Sequence, residues 1–215
     1  MSKFVTWSGI VHATLRSSFP KLKLGQAREL LAASLGHNSY ASLREHDLQA
    51  LESSAIHVLP SHAGVLRRAY ELGLALTDDQ WWVVQRALTR GEVSLFSSLG
   101  GNAVMPNAAR RVFEDTSHPL FHQIARAIGM QDGQWAHRTV TLAPEGSRAD
   151  ELTILVYGEV RAFSETACLA TPVIGEVTFP RVGRQLYGAG HLVRATQNGQ
   201  PYPYEPIDEG DVYGP

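Results

Sequence analysis

Phe121-His122-Gln123-Ile124-Ala125-Arg126-Ala127-Ile128-Gly129 is followed, across Gly133, by Thr139-Val140-Thr141-Leu142, and the rhythm of the side chains changes between the two stretches. In the first, Phe121, Ile124 and Ile128 recur at the steps that line one face of a helix, Ser117 stands as its cap with Pro119 in the first turn, and Gly129 stands where it would stop. In the second, β-branched and apolar residues run together, as they do in a short strand. The change predicts an α+β protein with a helical N-terminal part and a small antiparallel β-rich C-terminal part.

Working back from Gly133, helical spacing dominates. Trp7, Ile10, Val11 and Leu15 predict a first amphipathic helix ending near Phe19-Pro20. Leu24, Ala27, Leu30, Leu31 and Leu35 predict a second, with Gly36 as a left-handed cap. Ser39 is placed to cap a third that carries Tyr40, Leu43 and Leu51. These three helices make up a module over residues 1–55. A helical region over residues 56–132 follows, opened by Leu59-Pro60-Ser61 and a stripe of Val65, Ala69, Leu72 and Leu76. Thr77-Asp78-Asp79-Gln80 has capping-box spacing, Trp81, Val84 and Leu88 supply the apolar stripe of that helix, and Gly91 is its expected stop. Gly100-Gly101 and Met105-Pro106 mark residues 94–107 as a loop or a partner-facing segment, with helix resuming at Ala108.

Working forward, residues 139–142, 152–160, 173–179 and 191–196 read as strands of an antiparallel region spanning 133–199. The connections between them are too short for helical crossovers. Gly158 and Gly175, inside strand runs, suggest bulges. Residues 200–215 hold four prolines, four acids, three tyrosines and no basic residue, the composition of an extended tail.

The chain of 215 residues can bury a core without staples. Its 44% hydrophobic and 19% charged content sits near globular averages, which argues against general disorder. A formal net charge of -2 gives no overall attraction to nucleic acid or anionic lipid, so such binding would need a local patch. The single cysteine, Cys168, allows no intramolecular disulfide and points to a reducing compartment. With no apolar leader after Met1-Ser2-Lys3 and no apolar run of spanning length, the expectation is a cytoplasmic protein that does not bind membranes.

Ala27, Leu30, Leu31, Ala32, Leu35-Gly36-His37 and Ser39-Tyr40-Ala41-Ser42-Leu43 lie in a stretch, residues 20–51, that resembles a small helical module of bacterial glyoxalase-superfamily-related and plasmid-related proteins. That family has a leucine-glycine-aromatic turn followed by a serine-aromatic pair, and His37 departs from it by standing in the aromatic place. The resemblance implies a bacterial or mobile-element setting. It brings no metal site, because the spaced His/Glu ligands of a glyoxalase are missing.

Three sets of residues carry functional expectations. Trp81 and Trp82 are adjacent, so on a helix they point in different directions and only one fits a single core face. With Tyr202 and Tyr204 of the tail they are the candidate protein-contact residues of an interaction or regulatory protein, expected to self-associate or to bind a protein partner. Lys3, Arg16, Lys21, Lys23 and Arg28 all precede the first acid, Glu29, and form a candidate nucleic-acid face. The more ordinary reading of that face is a solvated basic surface. The Ala32 and Gly36 spacing also invites a helix-turn-helix, but its buried positions would fall on His37, Ser42 and Glu45. His118 and His122, four apart, with His137 supplied through tertiary contact, are the candidate metal ligands of an alternative enzymatic reading. Cys168 with His191 as base would suit a nucleophile, against the commoner reading of a small buried hydrophobe. No residue is assigned a catalytic role, and no cofactor is expected.

Overall fold

The computed structural model describes residues 2–89, 94–95, 107–113, 133–142, 150–163 and 168–203, together with Pro119, Gln123 and Arg126. Its architecture is α+β, helical in the N-terminal part and β-rich in the C-terminal part. The elements are α1 (Lys3–Leu15), α2 (Leu24–Ser34), α3 (Tyr40–His46), α4 (Leu48–Ser53), β1 (His57–Val58), α5 (His62–Glu71), α6 (Asp78–Thr89), β2 (Ser94–Leu95), α7 (Asn107–Phe113), β3 (Gly133–Leu142), β4 (Glu151–Phe163), β5 (Cys168–Gly183), β6 (Leu186–Tyr187), β7 (His191–Gln197) and β8 (Tyr202–Pro203). They fall into two compact units. The first comprises Met1–Pro106, Arg148–Leu152 and Phe179–Ala189, and the second Asn107–Ser147, Thr153–Thr178 and Gly190–Pro215.

The first unit is built on α2. Its Ala27, Leu30, Leu31 and Leu35 are buried, and it packs on α1 through Trp7, Val11 and Leu15 and on α5 through Val65 and Ala69. Trp81, Val84, Ala87 and Leu88 of α6 complete the same core against α1. Helices α1, α3, α5 and α6 start where a side chain satisfies a free amide. Ser2, Ser39 and Ser61 accept from Val5, Ser42 and Gly64, and the Gln80 carbonyl returns to the Thr77 N–H at 2.9 Å, the spacing read at Thr77-Asp78-Asp79-Gln80. The Gly36 φ of 82° ends α2 in the left-handed region, where only glycine is free of strain.

Two differences from the sequence reading have local causes. The expected third helix is broken in two at Asp47, whose φ of -124° leaves the helical range while its carboxylate is held by partners described below. The stripe through Leu72 and Leu76 overshoots α5, which stops at Gly73 with φ 70°. A short sheet also lies among the helices. β1 pairs in parallel with β2 (His57↔Ser94) and antiparallel with β6 (His57↔Tyr187), and β6 pairs with the end of β5. Two-residue strands are too short to leave a period in the sequence.

In the second unit β3 pairs antiparallel with β4 from Gly133↔Ala162 to Leu142↔Ile154, β5 follows β4, and β7 and β8 pair with different lengths of β5. The register slips between His137 and Thr139, opposite Gly158, and again between Glu176 and Val177, beside Gly175. A Cβ on Gly175 would come within 2.4 Å of the Phe113 ring, so the strand is bare there to receive α7. Ile154, Val156, Val160, Val173, Val177 and Leu192 are buried with Ala109 and Phe113 of α7. The predicted cap at Ser117 and the face of Phe121, Ile124 and Ile128 lie outside the described residues; Pro119, Gln123 and Arg126 between them are helical and exposed.

Candidate functional site

The tryptophan pair divides. Trp81 is 2% exposed and sits in the core with its ring 5.0 Å from that of His62, whereas Trp82 is 46% exposed. One helical step of about 100° separates them, so α6 turns Trp82 away from the face that α1 covers. Beside Trp82 lies a surface groove of about 360 Å³, lined among the described residues by Asp79, Trp82, Val83 and Arg86. A tryptophan exposes costly apolar area and still carries an N–H donor, a combination suited to a contact surface.

The basic residues also divide. Lys3 is tied to the end of α4: its amide donates to Glu52 at 2.8 Å, and its ammonium reaches the Leu51 and Ala55 carbonyls. Arg28 lies over the Tyr40 ring, 5.7 Å from the centroid, and Tyr40 stacks on Phe4. Arg16, Lys21 and Lys23 are exposed at the connection between α1 and α2. Lys21 lines a cleft of about 440 Å³ whose other walls include Phe19, Leu22 and Gln26 on one side and Leu72 and Leu74, from the α5 to α6 connection, on the other. The cleft lies where α1 stops at Leu15 and α5 at Glu71, leaving their following connections side by side.

A third cluster was not foreseen as a unit. His37, with a fully buried side chain, places Nε2 2.9 Å from Asp47 Oδ2 and Nδ1 3.2 Å from Ser42 Oγ. The same Asp47 oxygen accepts the Arg184 amide at 2.8 Å, and the Arg184 guanidinium reaches the Gly36 carbonyl at 3.4 Å. An ionised carboxylate only accepts, so Nε2 carries the proton and Nδ1 accepts from the Ser42 hydroxyl. Burial lowers the His37 pKa, outweighing the opposing pull of Asp47. These residue types resemble a hydrolytic triad, but His37 has no exposed edge from which to serve a substrate. The cluster instead fastens the α2 to α3 turn to the β5 to β6 turn.

The described residues do not bring the remaining candidates together. The Tyr202 hydroxyl donates to buried Glu159 at 2.5 Å, and Arg161 Nε meets the same carboxylate at 2.6 Å. Tyr204, His118 and His122 lie outside the described residues, and His137 is placed only as a backbone position of β3, opposite Gly158. Among the described residues no group of three or more metal-binding side chains gathers. Cys168 and His191 are not neighbours. His191 pairs with Thr178, ten residues along β5 from Cys168, about 33 Å of strand at the usual rise. No described helix is long and apolar enough to cross a membrane.

Comparison with protein-family models, curated proteins and solved structures finds no match to this chain.

Proposed function

We propose that this chain is an interaction or regulatory protein that works through protein contacts, with itself or with a partner, and that Trp82 anchors the contact. The observation that supports this most directly is the near-complete burial of Trp81 beside a Trp82 left 46% exposed next to a groove. Anchoring aromatics at interfaces carry a disproportionate share of binding energy. The resemblance of residues 20–51 suggests a bacterial or mobile-element host. Light scattering of the purified chain and a tagged pull-down from its host, each repeated with Trp82→Glu, test the reading. Wild type is expected to form a defined oligomer or recover a partner that the variant loses. A clean monomer recovering nothing would sink it.

Nucleic-acid binding is a second reading, favoured by the exposure of Arg16, Lys21 and Lys23 together. It draws on three of the five cations read from the sequence, since Lys3 and Arg28 are engaged within the fold. Mobility shifts of duplex DNA and of RNA at two salt concentrations test it. Phosphate contacts must weaken steeply with added salt, and a shift that ignores salt, or none at all, would reject it.

A further inference from the structure

We infer that the cleft between the α1 to α2 and α5 to α6 connections receives an acidic peptide segment of a protein partner, an apolar side chain entering the cleft and carboxylates meeting its rim. The inference rests on the protein-contact reading and adds a second surface, with a stated partner chemistry, to the one around Trp82.

Two observations point to this occupant. The walls are mainly apolar, with Phe19, Leu22, Leu72 and Leu74 around about 440 Å³ of space. Water gains little there, and an apolar side chain would be driven in by loss of hydrated area. The rim is cationic, and no described acid compensates it. Lys21 lines it, Lys23 and Arg16 are exposed nearby, and none of the three has an ion-pair partner among the described residues. Among the described residues no acid lines the cleft, and Glu29, the first acid of the chain, is committed to Arg68 at 2.7 Å. A positive rim that no described acid neutralises, around a mainly apolar floor, complements an acidic segment with an aliphatic or aromatic residue at its centre.

Flanking residues extend the same pattern. Leu24, the first residue of α2, is 38% exposed, and Tyr70, near the end of α5, is 85% exposed. Large apolar side chains are thus left in water on both elements that lead into the cleft, as expected at the margin of a contact surface. A nucleic-acid backbone would use the cations and leave the apolar walls idle, which is why the peptide is favoured.

Selection of a phage-displayed dodecapeptide library on the immobilised full chain tests the inference. Enriched peptides should carry leucine or phenylalanine among aspartates and glutamates. By fluorescence anisotropy, their affinity should fall about tenfold or more in Lys21→Glu/Lys23→Glu and in Ser18→Trp, which would fill the cleft. All three positions are exposed, so circular dichroism should be unchanged. Enrichment of peptides without acids, binding unaffected by either variant, or no enrichment would overturn it. So would a labelled single-stranded oligonucleotide that binds with the same lysine dependence where no peptide does. Peptides that need Trp82 but neither lysine would overturn this inference while supporting the wider one; capture of the host partner lost in the lysine variant but kept in Trp82→Glu would support this inference while overturning the Trp82 anchor, and loss in neither variant would contradict both.

Discussion

Asp47 ties two turns of the first unit together and breaks a helix. Its carboxylate accepts from His37 and from the Arg184 backbone, and it stops the third predicted helix. Asp47→Asn keeps the shape but puts an amide donor where acceptors are needed. Chemical denaturation should register a loss of about 2–3 kcal/mol, the scale of hydrogen bonds to a charged group; an unchanged midpoint would remove Asp47 from this role. Histidines set the acid side of the stability profile. His57 is buried against the edge of Phe179, and that burial pushes its pKa from 6.5 down to about 4. Between those values the unfolded chain binds a proton that the folded chain refuses, so stability falls as pH falls through the window. The His37 shift has the same sign. Between pH 7 and 5 the His57 contribution should decline by about 2 kcal/mol, and His57→Leu should flatten that slope in urea titrations run at both pH values. A variant as steep as wild type would contradict the assignment. None of this was legible in the sequence, where His37 reads as an oddity in a turn and Asp47 as one polar residue among several.

At the scale of elements, α1 is held at its start by Glu52 of α4. The carboxylate accepts from the Ser2 hydroxyl and from the Lys3 and Phe4 amides, completing the free end of the helix. Burial alone would raise its pKa, but these hydrogen bonds and the Lys3 charge hold it below the usual 4.5. A depressed carboxylate contributes stability that is present above the unfolded pKa and lost as pH falls through the folded one. Glu52→Gln should therefore cost about 1–2 kcal/mol near neutrality and converge with wild type in acid; a gap independent of pH would argue against the charge. The long elements were readable because their apolar residues repeat. Trp7, Val11 and Leu15 on α1, the α2 leucines and the β-branched runs of β3 to β5 each state a period over enough residues to decide it. What escaped was either too short to have a period, as with β1, β2, β6 and β8, or set by a distant partner, as with the break at Asp47.

At the scale of the whole molecule, two compact units carry different balances of surface. The first holds the divided tryptophan pair, the cationic cleft and the His37 cluster; the second buries Glu159 under Arg161 and Tyr202 within its strands. Tyr202→Phe should lower the denaturation midpoint by an amount worth about 1–2 kcal/mol, since it leaves a buried carboxylate short of a donor, and no change would show that bond to be idle. Sequence reading found the tryptophans by their adjacency and the cations by their clustering before Glu29. It could not find the cleft, which forms only when two connections far apart in the chain come together. The most direct test of the account is partner capture from the host with wild type and with Trp82→Glu, matched for folding by circular dichroism. The account predicts a partner, or a second copy of the chain, held by wild type and lost by the variant at unchanged thermal stability. Equal capture by both proteins would contradict it.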